Sequence, residues 1–300
     1  MAKVLDALAR AQQERLRRQQ PGLPVDADAP IRPEPSGPRP VVEPVGQTRS
    51  ELAPVDPLEA EPPVHPTVAD VVVGAHDTLS PIAEQVRQIR TNLDAVLADY
   101  ASRPIVVTSP VAGDGKTLFA ANLAWTLTDN PQQRTLLIDA DLRKGEQNRL
   151  FGMRRAPGLS EYLRGQGALD QAINRTSMPN LDVMPGGRAT SKPTALLSSD
   201  RLAALLDQLR PHYTWIVFDT PPLLPVTDAT LIGRLCVGLI LVVRMGKTQR
   251  AAIARAQDLL AENRLPVLGC VLNEFEPMSR AYEYYQRLDA SKERMDGDGR

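Results

Sequence analysis

The stretch PIVVTSPVAGDGKTLFAANLAWTL, residues 104–127, decides the fold that this sequence predicts. A run of β-branched residues leads into a turn with two glycines, and an apolar segment of helical composition follows directly. Strand, glycine-rich turn and helix in this order form the context of a phosphate-binding loop, in which backbone N–H groups and the helix dipole face an anion. Pro110 replaces the first glycine of the usual G-x-x-x-x-G-K-[ST] pattern. A G-K-T triplet alone could be a solvated turn, but the flanking strand and helix favour phosphate binding.

The loop residues have separate predicted roles. Two glycines let backbone N–H groups approach phosphate oxygens, Lys116 reaches the outer phosphates, and Thr117 offers its hydroxyl to Mg²⁺. The sequence contains no N-K-x-D guanine motif, so ATP is favoured over GTP, and Asn273 ends the last predicted strand where a base-edge contact can be made. The predicted nucleotide-binding residues are Gly113, Asp114, Gly115, Lys116, Thr117, Leu118 and Asn273.

Carboxylates follow two further apolar strands. In LLIDADLR, residues 136–143, the apolar run is followed by Asp139 and Asp141, and in WIVFDTPP it is followed by Asp219. Carboxyl ends of adjacent parallel strands face the crevice where ligands bind, so these side chains are expected beside the loop, although a single aspartate there could be a helix N-cap. We predict Mg²⁺ binding by Thr117, Asp139 and Asp219, and catalytic roles for Lys116, Asp139 and Asp141. Which of Asp139 and Asp141 activates the acceptor hydroxyl stays open.

The remainder of residues 76–277 alternates between apolar strands and amphipathic helices. Strands are predicted at residues 104–109, 134–140, 181–185, 214–222, 236–243 and 267–273. Continuous β-branched runs of this kind predict an α/β fold of the P-loop NTPase type, a mostly parallel sheet with helices on both faces. Cys236 and Cys270 lie in apolar runs and are expected to be buried thiols.

Composition divides the rest of the chain. Thirteen of the 27 prolines lie between residues 21 and 66, so residues 21–75 are predicted to be a disordered linker. Residues 1–20 form a predicted amphipathic helix, either solvated or docking on a partner or membrane surface. With 35 basic and 36 acidic side chains, the chain shows no sign of a bulk nucleic-acid binder. The longest apolar run, residues 235–243, is too short to span a bilayer.

Half of the six tyrosines stand together in AYEYYQ, residues 281–286, within the predicted tail 278–300. Tyr282, Tyr284 and Tyr285 cannot all point to one buried face of a helix or strand. They form either an aromatic contact patch on a terminal helix or a set of residues that are exposed for chemistry.

These features together resemble the bacterial tyrosine kinases (BY-kinases), cytoplasmic P-loop autokinases of polysaccharide synthesis and export. The resemblance runs from about residue 78 to 276 through the loop, DADLR and DTPP. It implies ATP and Mg²⁺ as cofactors and the tail tyrosines Tyr282, Tyr284 and Tyr285 as phosphorylation sites. EQVRQIR matches the family's E-x-x-R-x-x-R motif through Glu84, Arg87 and Arg90. The family places this motif at a subunit contact of a ring, although a salt-bridged solvated helix face would show the same spacing.

The resemblance also implies partners and a location. The implied partners are a transmembrane polysaccharide co-polymerase, which would act as activator, and a cognate tyrosine phosphatase. The implied location is the cytoplasm, at the inner face of the membrane, where a partner would hold the protein. Two alternatives stay open. A ParA/MinD-like partitioning or positioning ATPase would carry lysine where this chain has Val111, and a nucleotide-dependent scaffold of a membrane assembly would show no phosphotyrosine.

Overall fold

The computed structural model describes Val68, Val72 and residues 80–274. The chain divides into two units, Met1–Glu59 and Ala60–Arg300, and every described residue belongs to the second. The predicted helix 1–20 and the tyrosine tail 278–300 lie outside the described residues, as does the predicted linker apart from two valines.

A seven-stranded sheet forms the centre of the described unit. Its strands are β1 (Arg103–Thr108), β2 (Thr135–Asp139), β3 (Asn174–Arg175), β4 (Leu181–Met184), β5 (Trp215–Asp219), β6 (Gly238–Arg244) and β7 (Val267–Asn273). They lie in the order β3-β4-β2-β5-β1-β6-β7. All neighbours run parallel except β3, which pairs antiparallel with β4. The mostly parallel sheet is confirmed, and β1, β2 and β5 bring the sequence motifs to its centre.

Helices connect the strands and cover both faces of the sheet. They are α1 (Pro81–Val96), α2 (Lys116–Thr126), α3 (Gln147–Leu150), α4 (Leu159–Arg164), α5 (Leu169–Ala172), α6 (Pro193–Leu197), α7 (Asp200–Leu209), α8 (Asp228–Gly233) and α9 (Arg250–Glu262). A 3₁₀ turn, Leu127–Asp129, follows α2. Among the described helices, none is both long and apolar enough to cross a bilayer.

Successive side chains of each strand point to opposite faces of the sheet, and they form a hydrophobic core on each face. On β1, Val106 packs into one core, while Ile105 and Val107 pack into the other. Because both faces are covered, the central strands need apolar side chains at every position, which explains their unbroken β-branched runs. The predicted two-sided covering of the sheet is confirmed.

Helix α1 closes one of these cores and begins at a well-defined cap. Ser80 accepts a hydrogen bond from the Ala83 N–H at 3.2 Å, and proline follows at the first helical position. Both features are typical helix starts. Val68 and Val72, within the segment predicted as linker, are buried in the core that α1 covers. The end of the proline-rich segment therefore supplies apolar side chains to this domain.

Strand β7 is the less protected edge of the sheet. It pairs only with β6, and its side chains are exposed or half-buried. Cys270 lies on this strand and is exposed, so the expectation of a buried thiol there is wrong. Cys236 precedes β6 and is half-buried. An apolar run predicts burial only where a sheet face is covered, and sequence alone does not show which strand is at the edge.

Candidate active site

The phosphate-binding loop joins β1 to α2 at the carboxyl edge of the sheet. Gly113 and Gly115 have φ angles of +88° and +89°, which favour glycine. A Cβ on Gly115 would lie 2.0 Å from Asn273 Nδ2, so this position also lacks room for a side chain. Helix α2 starts at Lys116 without a side-chain cap, and exposed Leu118 follows in its first turn. The uncapped N–H groups and the helix dipole favour an anion here.

Side chains at or just after the ends of β6 and β7 contact the loop on the side away from the carboxylates of β2 and β5. Asp114 is buried, and its carboxylate accepts hydrogen bonds from Thr248 Oγ1 at 2.7 Å and from the Val111 N–H at 3.4 Å. Asn273 Nδ2 donates to the Asp114 carbonyl at 3.0 Å. Arg244, which is ion-paired with Glu274, donates to the Gly113 carbonyl at 3.1 Å. The loop is therefore fixed before any ligand binds.

These contacts bear on two of the predicted nucleotide-binding residues. The Asp114 carboxylate accepts hydrogen bonds from Thr248 and from its own loop, so only the backbone N–H of Asp114 can contact a phosphate. Asn273 uses its Nδ2 on Asp114, and its Oδ1 accepts from the Glu274 N–H at 3.0 Å. Both ends of this amide are engaged with backbone, an arrangement that favours bracing of the loop over the predicted base contact.

The predicted lysine and the three aspartates come together beside the loop. Asp139 and Asp219 are register partners on the adjacent strands β2 and β5. Lys116 Nζ lies 3.3 Å from Asp219 Oδ1 and 3.8 Å from Asp141 Oδ2. It also donates to Thr117 Oγ1 at 2.8 Å. Two fully buried carboxylates and a third at their side thus face a single ammonium group, a surplus of negative charge that fits a divalent cation.

Burial governs the electrostatics of this cluster. It raises the pKa of Asp139 to about 8, and the neighbouring Asp219 adds to the rise. Burial likewise raises the pKa of Asp219, although the lysine, Gln147 and Thr117 favour its charged form. For Lys116, burial alone would lower the pKa, but the surrounding carboxylates outweigh it and the pKa is raised. The lysine therefore stays charged, while the aspartates gain from a cation that offsets their burial.

Asp139 and Asp141 differ in how far they are available. Asp139 is fully buried, and its two oxygens accept from the Asp141 N–H at 3.2 Å and the Gln147 N–H at 3.0 Å. Asp141 uses Oδ1 to cap the following turn through the Arg143 and Lys144 N–H groups, at 3.3 and 3.0 Å. Its side chain is 13% exposed, and Oδ2 remains directed towards Lys116. Asp141 is therefore the more accessible carboxylate, which the sequence did not reveal.

Gln147 is a site residue that sequence reasoning missed. It is the first residue of α3 and is fully buried. Its Nε2 donates to the Thr117 carbonyl at 2.9 Å and to Asp219 Oδ2 at 3.0 Å. The surrounding sequence, RKGEQNRLFG, is a polar turn that gives no sign of burial. Gln147 reaches the site because the chain after β2 turns back over the carboxyl edge of the sheet.

The donor set also fits the metal that the sequence predicts. Asp139 and Asp219 are register partners, and Lys116 contacts both the Thr117 hydroxyl and Asp219, so these groups lie close together; their binding of Mg²⁺ stays a prediction. Within residues 80–274, no three carboxylate, imidazole or thiol side chains form a metal cage of their own. Mg²⁺ usually keeps several waters and binds through one or two carboxylates plus phosphate oxygens, so a cage is not required.

Comparison with known proteins identifies the family. A family model described as an AAA domain matches residues 102–233. Tyrosine-protein kinase YwqD of Bacillus subtilis is 35% identical over 202 residues, 67% of this chain and 84% of that protein. The chimerical protein CapA2B2 matches with a TM-score of 0.66 and 31% identity, covering 70% of this chain and 92% of that one. This chain belongs to the bacterial tyrosine kinases.

The relatives of this BY-kinase differ in length. The putative tyrosine-protein kinase EpsB of Ralstonia nicotianae is 33% identical over 207 residues, 69% of this chain but only 27% of that protein. The septum site-determining protein MinD of Pyrococcus horikoshii is 24% identical, with a TM-score of 0.50 over 58% of this chain and 71% of that one, and shares the fold alone. The relatives named tyrosine kinases therefore favour a kinase over a ParA/MinD-like ATPase, and this BY-kinase is a protein-tyrosine kinase.

The arginine motif of the BY-kinase lies on α1. Arg87 Nη2 is 2.9 Å from Glu84 Oε2, and Arg90 Nη1 is 3.3 Å from Asp129 Oδ2 after α2. Both arginines are partly exposed, at 28% and 24% of their side chains. The predicted oligomer contact stays a prediction. The predicted phosphorylation sites Tyr282, Tyr284 and Tyr285 lie outside the described residues.

Proposed function

We propose that this BY-kinase uses ATP and Mg²⁺ to phosphorylate its own C-terminal tyrosine cluster, in trans within an oligomer. The single observation that carries the proposal is the grouping of Lys116, Asp141 and Asp219 beside a braced phosphate-binding loop. A cluster of one cation and several carboxylates at the N-terminus of a helix suits a nucleotide with a divalent ion.

The proposed binding roles follow from the contacts. The loop N–H groups between Gly113 and Thr117 would hold the phosphates, and Lys116 would turn from the carboxylates to the phosphoryl group that is transferred. Thr117, Asp139 and Asp219 would hold Mg²⁺. When bound, this ion stabilises negative charge on the phosphate oxygens. Asp219 Oδ2 accepts from Gln147, so this carboxylate would contact the ion through its other oxygen or through water.

The proposed chemical step is in-line phosphoryl transfer. The tyrosine oxygen forms a bond to the γ-phosphorus of ATP while the bond to the β–γ bridging oxygen breaks, and ADP leaves. The phenol proton passes to Asp141, because this carboxylate is accessible while both oxygens of buried Asp139 are taken. A phenol with a pKa of about 10 needs such a nearby base at neutral pH.

Transfer in trans can be tested by mixing two chains. One carries Lys116→Met with its tail intact, and the other is active but carries phenylalanine at Tyr282, Tyr284 and Tyr285. We expect mass spectrometry to find phosphate on the tail of the inactive chain after incubation with ATP and Mg²⁺. An unlabelled tail in the mixture, while the wild type labels itself, would show that transfer occurs within one chain.

We further propose that the kinase regulates polysaccharide polymerisation and export, in the cytoplasm against the membrane through a transmembrane co-polymerase, with a tyrosine phosphatase reversing the reaction. The support is the family resemblance of the loop, the DADLR segment and the α1 motif. The expected observation is that a co-polymerase cytoplasmic segment raises the rate of tail labelling. Equal labelling rates with and without that segment would contradict the activator role.

A further inference from the structure

Gln147 touches three parts of the active site at once. Its backbone N–H donates to Asp139 at the end of β2, and its Nε2 donates to the Thr117 carbonyl in α2 and to Asp219 at the end of β5. The side chain has no solvent exposure. One residue thus ties together all three residues that are predicted to bind Mg²⁺.

The orientation of the Gln147 amide is fixed by its neighbours. Both contacts on one side of the group are oxygen acceptors, the Thr117 carbonyl and Asp219 Oδ2, so the NH₂ must face them. A flipped amide would set three oxygens against one another. The Oε1 atom therefore faces elsewhere, and it is buried without a hydrogen-bond partner.

A buried carbonyl oxygen without a donor is costly and is rare in folded proteins. Here it occurs in a residue that already holds the metal-binding side chains. No donor among the described residues reaches Oε1, so a water that binds with the ligand can supply the missing hydrogen bond. Water in the hydration shell of Mg²⁺ is such a donor, since this ion keeps several waters when it binds with a nucleotide.

We propose that Gln147 is a positioning residue for the nucleotide-bound divalent cation. Its NH₂ group sets the separation of Thr117 and Asp219, and its Oε1 accepts a hydrogen bond from a water on the cation. The inference rests on the proposed ATP and Mg²⁺ dependence and adds a residue that acts through water. Such outer contacts typically change metal affinity or activity 10–100-fold when they are removed.

The test compares ADP binding with Mg²⁺ and with EDTA by isothermal titration calorimetry. The variant Gln147→Met keeps the length of the side chain and removes both hydrogen-bonding groups. We expect Mg²⁺ to tighten ADP binding to the wild type, and this tightening to fall about tenfold or more in the variant. The Kd for ADP in EDTA should stay unchanged. A merely structural role would weaken ADP binding in both conditions.

A matched control is Asn148→Leu, which removes the adjacent amide without adding a charge. Asn148 Nδ2 donates to the Met153 carbonyl at 3.4 Å and makes none of the contacts of Gln147, so this variant should keep the wild-type Mg²⁺ effect. If Gln147→Met does not fold, Gln147→Asn replaces it, because its shorter side chain cannot reach both acceptors, and the same loss is expected.

The outcomes separate the two proposals. A folded Gln147 variant with the full Mg²⁺ effect, or with equal weakening in EDTA, overturns the role of Gln147 alone. Wild-type ADP binding that Mg²⁺ does not affect overturns the proposed cofactor use and this inference with it. A selective loss of the Mg²⁺ effect supports both.

Discussion

Removal of the Thr248 hydroxyl should loosen the phosphate-binding loop from outside the active site. Thr248 Oγ1 donates to buried Asp114 at 2.7 Å and accepts from the Arg244 N–H at 3.0 Å. Thr248→Val keeps the shape and removes both bonds. The Asp114 carboxylate then keeps only a 3.4 Å contact to the Val111 N–H.

The magnitude follows from the two lost bonds. A hydrogen bond to a charged group contributes about 1.5–3 kcal/mol, and a neutral one about 1 kcal/mol. Thr248→Val should therefore lower the free energy of unfolding by roughly 3 kcal/mol. For a domain of this size each kcal/mol shifts the Tm by about 2–4 °C, so a fall of roughly 6–12 °C is expected.

Urea unfolding and thermal melting of the nucleotide-free protein measure this change, and ADP binding measures the loop. Thr248→Ser keeps the hydroxyl and serves as the matched control, with stability close to that of the wild type. ADP affinity should fall for Thr248→Val and hardly change for Thr248→Ser. A valine variant as stable as the serine variant would refute the claim that this contact holds the loop.

Three further predictions concern the charged groups. Lys116→Met should abolish tail labelling while leaving the circular dichroism spectrum unchanged, and native-rate labelling would disprove the loop assignment. Arg87→Ala combined with Arg90→Ala should reduce self-association in light scattering at several concentrations; an unchanged mass would leave the motif a solvated helix face. Because the pKa of Asp139 is raised to about 8 in the folded state, metal-free stability should fall as pH rises from about 4 to 8. Urea melts should show Asp139→Asn flattening this fall, and a variant with the wild-type slope would contradict the assignment.

The central sheet could be predicted because its strands are buried on both faces. Unbroken apolar runs mark β1, β5 and β6, and the motif residues sit at strand ends whose meeting point is fixed by parallel pairing. Strand β3 escaped prediction because it has only two residues. The exposure of Cys270 could not be predicted because an edge strand and a central strand can have the same apolar composition.

Contacts between distant segments could not be predicted. Thr248 and Asp114 are 134 residues apart, and nothing in either local sequence indicates that they meet. Gln147 likewise belongs to a polar turn whose path over the sheet depends on the whole fold. The motifs therefore revealed the groups that face a ligand, whereas the groups that hold them in place required the structure.

The contact between Asn273 and the loop also depends on the order in which the chain is synthesised. Its donor lies 159 residues after Asp114, at the end of the last strand. Ribosomes add about 5–20 residues per second, so this asparagine is synthesised roughly 8–30 s after the loop that it holds. During that interval the nascent chain contains the complete phosphate-binding motif without the Asn273 contact. This contact can form only after the last strand of the described sheet has been made.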